Sequence, residues 1–292
     1  YRPLNNYGAD CADSNRITAS KDEVYRVTAE WTVNEDLMVY SSWGEGYRPG
    51  GLNRFCSVGN TADYGGQGRD DTTGAQCDFT PDFLTSYEVG VKATLLDGRM
   101  QFNAAAFLQD WDNFQFSRLD TSISPVTLTY NIGQAKSDGF EADFSIMLSE
   151  TWSLTGAGSY IQAELSQDYY ASDGLAAPTA ANGTQLPRVP EVKWNLSTRY
   201  GFNTDWFVQA SYIYTGSSYN NLFDGGSVPT RRYKQKDYQI LNASIGVDRN
   251  SWVAEMYVRN LTDERGEVFR NAVNWDERVM TNRPRTIGTR VS

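Results

Sequence analysis

Residues 139–161 read GFEADFSIMLSETWSLTGAGSYI, two strands around a polar turn with a strict division of faces. Phe140, Ala142, Phe144, Ile146 and Leu148 alternate with Gly139, Glu141, Asp143, Ser145 and Met147. One face is apolar and the other largely polar. Ser149, Glu150 and Thr151 turn the chain, and Trp152 and Leu154 begin a return through small residues to Tyr160 and Ile161. Such period-two alternation marks a strand with a different medium on each side. A soluble sandwich and a membrane barrel both satisfy it, so the rest of the chain has to decide what Phe140 and Phe144 face.

Working outward, the same pattern recurs. Tyr25, Val27, Ala29, Trp31 and Val33 alternate with Arg26, Thr28, Glu30 and Thr32, and Leu37–Tyr47 returns with Leu37, Val39 and Trp43 outward. Tyr87, Val89, Val91, Ala93 and Leu95 oppose Glu88, Gly90, Lys92 and Thr94, Asp97-Gly98 is a hairpin signal, and Met100–Leu108 comes back. Downstream, Val192–Gly201, Trp206–Tyr214, Leu241–Val247, Trp252–Val258 and a last segment with Ile287, Thr289 and Val291 complete eleven predicted strands.

The connections alternate too. Those at 34–36, 96–98, 149–151, 203–205 and 248–251 are short, whereas those at 48–82, 115–127, 166–187, 218–236 and 263–284 are long. All short turns therefore lie at one end of the sheet and all long loops at the other, as in transmembrane barrels, whereas Greek-key sandwiches mix them. Trp152, Trp206 and Trp252 each follow a short turn as the first strand residue, which predicts an interfacial girdle at one height. The fold expected is an all-β, transmembrane antiparallel β-barrel.

Composition agrees. Mean hydropathy is −0.54 and no run of 18 apolar residues occurs, which excludes helical spans and leaves barrel strands open, since these need about 9–11 residues each. Aromatic residues make up 13% of the chain, including 18 Tyr and 8 Trp, residues suited to a membrane interface or to a stacking surface for ligands. A net charge of −10 makes nucleic acid a poor partner, and the complete lack of histidine excludes a Ser-His-Asp triad or a histidine-ligated metal within these residues.

Inward-facing Arg26, Glu30, Glu88, Lys92, Glu141, Asp143, Arg199, Glu255 and Arg259 give the lumen wall a mixed charge lining. Glu141 and Asp143 share a face, but polar inward positions are what any barrel needs, so no catalytic residue is expected. Asp70-Asp71 lacks the spacing of a calcium loop, so no metal or cofactor is expected either. On the long loops, Tyr47, Arg48, Asn53, Arg54, Trp111, Tyr219, Tyr233 and Trp275 offer the aromatic and cationic contacts that would meet a ligand first. Cys11, Cys56 and Cys77 lie in polar stretches; Cys56 and Cys77 are expected to be bonded, with Cys11 as the alternative partner of either. Asn182-Gly183-Thr184 and Asn260-Leu261-Thr262 fit the glycosylation pattern.

In these motifs the chain resembles the C-terminal barrel half of TonB-dependent outer-membrane receptors. DLMVYSSWGEGYRPGG (36–51), SYEVGVKATLLDGRMQFNAAAFLQDWDNFQ (86–115), NIGQAKSDGFEADF (131–144), LPRVPEVKWNLSTRY (186–200), YVRNLTDERG (257–266) and RPRTIG (283–288) occur in the family's order. The resemblance implies a barrel of about 22 strands with a plugged lumen, of which these eleven are the second half. It assigns residues 1–21 to an external loop segment and residues 22–292 to the receptor β-barrel. It also implies a bacterial outer-membrane location, in which the glycosylation patterns are accidental. The partners implied are an energy-transducing TonB complex reached through an N-terminal region, a plug domain of the same protein, outer-membrane lipid and a small-molecule ligand. The function implied is energy-dependent uptake of a scarce nutrient, foremost an iron-siderophore complex; an oligosaccharide, peptide or cobalamin importer, a passive porin and a barrel enzyme are the alternatives. The start at Tyr1 and the stop at Ser292, short of the family's aromatic-ended last strand, are read as those of a piece of a longer protein.

Overall fold

The computed structural model describes residues 21–53, 78–118, 127–170, 176–202, 204–223, 232–249, 251–271 and 278–292. Eleven strands form one sheet: β1 Arg26–Asn34, β2 Leu37–Arg48, β3 Asp82–Leu95, β4 Met100–Asp112, β5 Ala135–Ser149, β6 Trp152–Leu165, β7 Val192–Gly201, β8 Trp206–Thr215, β9 Tyr238–Arg249, β10 Trp252–Arg259 and β11 Thr286–Val291. Each pairs antiparallel with its neighbour in sequence, so the sheet is an unbroken meander with β1 and β11 at its edges. Among the described residues no helix is long and apolar enough to cross a membrane.

Register carries one face across the sheet from β2 to β9. Leu37, Ala93, Phe102, Phe144, Gly156, Leu196, Tyr212 and Leu241 fall in one row, and Lys92, Asn103, Asp143, Ala157, Asn195 and Ile213 in the adjacent row on the opposite face. The outer face carries large apolar side chains exposed along its whole width: Trp31 is 67% exposed, Phe140 58%, Val89 52% and Met256 55%. Only a hydrocarbon medium accommodates such a surface on a protein of this hydropathy.

The strands overrun the predicted bounds at the long-loop end. β3, β4, β5 and β6 have 14, 13, 15 and 14 residues, several more than a bilayer requires. Their upper outer-face positions are Asp110, Asp112, Lys136, Asp138, Gln162 and Glu164, where both faces meet water and hydrophobic alternation no longer exists to be read.

The buried apolar cluster lies beyond the spans. Ile132, Ala135, Ala163, Leu165, Ala180, Leu186, Leu222 and Phe223 pack with Trp111, Phe114, Phe116 and Tyr169 at the long-loop end. Across the spans the outer face meets hydrocarbon, so no internal core is needed there.

Register between strands joined by short turns is set by the turn, but strands joined by long loops need another device. At each of the five long-loop junctions a glycine lies directly opposite an aromatic residue: Gly90 and Tyr40, Gly139 and Phe107, Gly158 and Trp194, Gly246 and Phe207, Gly288 and Tyr257. At Gly246 an added Cβ would stand 2.5 Å from Phe207 Cζ and 2.8 Å from the Ala254 carbonyl oxygen, and at Gly288 it would stand 2.6 Å from the Tyr257 hydroxyl. At Gly90, Gly139, Gly246 and Gly288 slipping the pairing by one residue would seat the ring on a side chain instead, so these four pairs pin their register; the Trp194 ring stacks on Tyr212 and Tyr214 and not on Gly158.

Two outcomes follow in the membrane-embedded protein. Spin labels at Phe144, Val89 and Leu196 will report lipid, and labels at Asp143, Lys92 and Ser197 water, read by oxygen against nickel accessibility; equal values at adjacent positions would exclude the barrel. Gly246→Leu will destabilise the β8/β9 seam by about 1–3 kcal/mol, seen as a lower unfolding temperature on heat-shift electrophoresis, whereas Ser244→Leu on the same face will change it less.

Candidate functional site: the long-loop rim

Above the membrane the loops leave the sheet through short ribbons. Gly51–Leu52 pairs with Asp78–Phe79, Gln115–Arg118 with Leu128–Asn131, Ser218–Tyr219 with Lys234–Gln235, and Glu267–Arg270 with Val279–Thr281. Two polar arrangements hold these bases in place.

The first is a clasp around Asp82, a carboxylate 1% exposed. Arg48 Nε donates to both of its oxygens at 3.0 Å, the Arg48 guanidinium also pairs with it through Nη2, and the Gln115 amide donates at 2.9 Å. Arg48 Nη2 reaches on to the Gln115 carbonyl at 3.0 Å, and its guanidinium carbon stands 5.4 Å from the centre of the Phe114 ring. Asn53 imitates a strand residue, accepting from the Thr129 amide and donating to the Thr129 carbonyl, both at 2.8 Å. Asn131 links the Thr80 amide (2.8 Å) to the Asn113 carbonyl (2.8 Å). Three loop bases separated by up to 76 residues are thereby tied through side chain to backbone bonds.

The second sits in the motif NLTDERG. Asn260, 3% exposed and with φ 53°, donates Nδ2 to the Glu264 and Arg283 carbonyls (2.9 and 3.0 Å) and accepts the Glu264 amide (2.9 Å). Both amide hydrogens of Asn260 are used, so its glycosylation pattern serves a loop closure. Asp263 accepts the Arg285 amide at 2.8 Å and faces Arg265 at 3.2 Å, which together hold its carboxyl below the usual carboxylate range.

A third feature is chemical. Three guanidiniums lie on aromatic rings: Arg232 at 3.5 Å over Tyr219, Arg270 at 4.9 Å over Tyr233, and Arg188 at 4.8 Å over Phe269. Arg270 is also paired with Glu267, its Nε donating to Oε2 at 3.1 Å. They form one neighbourhood, because the Arg188 amide donates to the Tyr219 carbonyl at 2.7 Å and Asn220 bonds the Tyr233 backbone in both directions (2.6 and 3.1 Å). A guanidinium stacked on a ring keeps its in-plane N–H donors directed outward, which suits planar anionic oxygens.

The ligand-contact candidates are thus divided. Tyr219 and Tyr233 come together on this surface; Arg48 and Asn53 sit in the clasp; Trp111 packs against Phe114 at 5.9 Å beside the apolar cluster. Tyr47 points to the outer face, stacked on Phe83 at 6.4 Å. Arg54 and Trp275, the cysteines Cys11, Cys56 and Cys77, the Asp70-Asp71 pair and residues 1–20 lie outside the described residues. Arg188, Arg232 and Arg270 were not singled out in the sequence; an arginine beside a tyrosine at 232–233 is the one local signal. Trp152, Trp206 and Trp252 all face outward at the short-turn end, each 42–44% exposed.

Arg48→Ala will leave the Asp82 carboxylate buried without its counter-ion and loosen the clasp by about 2–3 kcal/mol, the half-exposed arginine making the loss smaller than for a fully buried pair. Faster amide exchange over 113–118 with unchanged protection in β3 and β4 is the expected reading. Because the Asp263 carboxyl titrates below its unfolded value, its contribution is present above about pH 4 and is lost as pH falls further through the folded value. Exchange at the Arg285 amide, corrected for intrinsic rate, will rise over that range.

Comparison with known proteins places this architecture. Residues 5–261 match the family described as TonB dependent receptor-like, beta-barrel. The chain is 24% identical over 244 residues to the probable TonB-dependent siderophore receptor PiuA of Acinetobacter baumannii, covering 82% of this chain and 30% of that protein. It is 31% identical over 208 residues to the metal-pseudopaline receptor CntO of Pseudomonas aeruginosa, covering 63% and 27%. The crystal structure of the ferric yersiniabactin uptake receptor FyuA from Yersinia pestis superposes with a TM-score of 0.68 at 19% identity, over 91% of this chain and 36% of that one. The chain therefore spans about a third or less of the length of these proteins. With eleven meandering strands, long loops at one end and an outward apolar face, this chain belongs to that family, as part of the β-barrel of a TonB-dependent receptor of the outer membrane.

Proposed function

We propose that the chain forms the C-terminal barrel half of an outer-membrane receptor that takes up a ferric siderophore by an energy-dependent route. The observation that carries this is the rim surface of Arg188, Arg232 and Arg270 on Phe269, Tyr219 and Tyr233, which concentrates cationic donors and aromatic faces in a chain of net charge −10. Iron chelates built from catecholate, carboxylate or hydroxamate groups present planar oxygens and rings, which match both elements. Relatives named as siderophore receptors support the same cargo.

In this reading the mixed-charge inner face, with Glu88, Lys92, Glu141 and Asp143, meets a plug domain, and the TonB complex acts through the remainder of the protein. The expected disulfide between Cys56 and Cys77 would restrain the loop between β2 and β3. The outward tryptophans Trp152, Trp206 and Trp252 would anchor the barrel at the periplasmic interface. The family is one of receptors and transporters, and in this reading these residues bind and anchor.

In cells carrying the intact protein, uptake of radiolabelled ferric siderophore will stop when the proton gradient is collapsed or TonB is deleted, while surface binding persists. Arg270→Ala will weaken that surface binding about tenfold, as expected for loss of a charged contact. Unchanged uptake without TonB or gradient would make the barrel a passive channel.

A further inference from the structure

One residue of the rim surface stands in a backbone conformation that its own side chain disfavours. In the segment Leu186-Pro187-Arg188-Val189-Pro190 each proline fixes its own φ and holds the residue before it extended. The bend of the chain therefore falls on Arg188, whose φ of 64° lies in the left-handed region. Glycine or asparagine takes that conformation most readily, and a long side chain there is uncommon.

The segment is fastened on both sides of the bend. The Leu186 amide donates to the Ala163 carbonyl at 2.8 Å, the Arg188 amide to the Tyr219 carbonyl at 2.7 Å, and Gln185 Nε2 to the Val189 carbonyl at 3.0 Å. Leu186 is buried in the apolar cluster and Val189 packs against it, whereas Arg188 is exposed. A strained residue that its surroundings hold in place on a binding surface is explained by what its side chain does there.

The partners of the three rim guanidiniums differ. Arg270 is paired with Glu267, and Arg232 donates to the Gln185 carbonyl at 3.2 Å. Arg188 rests 4.8 Å over the Phe269 ring, and among the described residues its guanidinium has no carboxylate or carbonyl partner. Its charge is thus uncompensated and its N–H fork remains open to a ligand. In a chain of net charge −10, which repels an approaching anion, such a local cation is what allows an anion to settle.

We infer that Arg188 reads the charge of the cargo, and that the receptor takes net-anionic iron chelates in preference to neutral ones. The fork of a guanidinium matches paired anionic oxygens, as on a catecholate or a carboxylate. A ferric tris-hydroxamate is neutral overall and offers only the weaker, uncharged contact. The inference rests on the reading of this surface as a siderophore site and narrows the cargo within it.

Surface binding is measured on cells that carry the intact protein, lack other iron receptors and have a collapsed proton gradient. The radiolabelled probes are ferric enterobactin, a tris-catecholate; ferric citrate, a hydroxycarboxylate; and ferrichrome, a neutral tris-hydroxamate. The wild type is expected to bind at least one anionic probe about tenfold more tightly than ferrichrome. Arg188→Asn, which suits the left-handed backbone and removes the guanidinium, is expected to lower binding of that probe about tenfold and to leave ferrichrome binding where it was. Its unfolding temperature on heat-shift electrophoresis is expected to be equal to the wild type's or higher, since the strain is relieved. Arg188→Lys, keeping the charge without the planar fork, is expected to fall between the two. Loss shared equally by all three probes, or by none, would overturn the inference, and equal loss with a lowered unfolding temperature would make Arg188 a structural residue. Tightest binding of ferrichrome by the wild type would overturn it while leaving the siderophore reading in place. Binding of none of the probes would remove that reading and this inference with it.

Discussion

Every backbone N–H and C=O of a strand that faces hydrocarbon has to find its partner on the next strand, because the surrounding medium offers none. The rest of this protein depends on that pairing being correct along eleven strands in sequence. A one-residue slip would turn Phe144 and Leu196 toward the lumen and Asp143 and Asn195 toward lipid, at several kcal/mol for each misplaced charge. Short turns remove the ambiguity where they occur. Elsewhere the chain leaves the sheet for many residues before returning, and at four of those five seams an aromatic ring over a glycine supplies the discrimination that loop length takes away.

The same solvent boundary explains why the protein's interior lies at its rim. Between the aromatic levels the outer face is satisfied by lipid and the inner face is polar, so neither drives packing of a protein core. Above that level both faces meet water, and apolar burial again stabilises the chain. Ile132, Leu165, Leu222 and Phe223 gather there, together with the Asp82 clasp and the Asn260 closure, and the ribbons they hold place arginines on tyrosines. A binding surface on loops thus stands on a small water-type core of its own, while the spans below are held by ladder bonds. Loss of a rim contact should accordingly be felt in the loops without opening the sheet.

Much of the architecture was legible from residue order. Strand number, the division of faces, the two unequal ends and the positions of Trp152, Trp206 and Trp252 all follow from alternation and turn chemistry, and the described strands reproduce them. The upper ends of β3 to β6 were not legible, because Asp110, Lys136 and Glu164 are polar on a face that is apolar lower down. Nor were the loop ribbons, whose partners are joined by side chains far apart in sequence, such as Asn53 with Thr129. Among ligand candidates, residue type alone could not tell an arginine that neutralises a buried carboxylate, as Arg48 does, from tyrosines that carry a stacked guanidinium, as Tyr219 and Tyr233 do.

By itself the sequence determined the period, and with it the fold class: an alternation of two excludes helices, and a net-polar chain with exposed aromatic strands requires a medium on each side of one sheet. It also determined which end carries the loops, since a meander places every second connection together. What only the tertiary structure decided is which side chains share a neighbourhood. Tyr47 and Arg48 are adjacent in the chain, yet the pleat sends Tyr47 outward to Phe83 and Arg48 inward to Asp82. Arg188, Tyr219 and Arg270 are scattered over three loops, yet hydrogen bonds between the ribbons join them into one surface. Contact between residues so far apart depends on where neighbouring strands deliver them, and that is a property of the paired sheet, absent from any local stretch of chain.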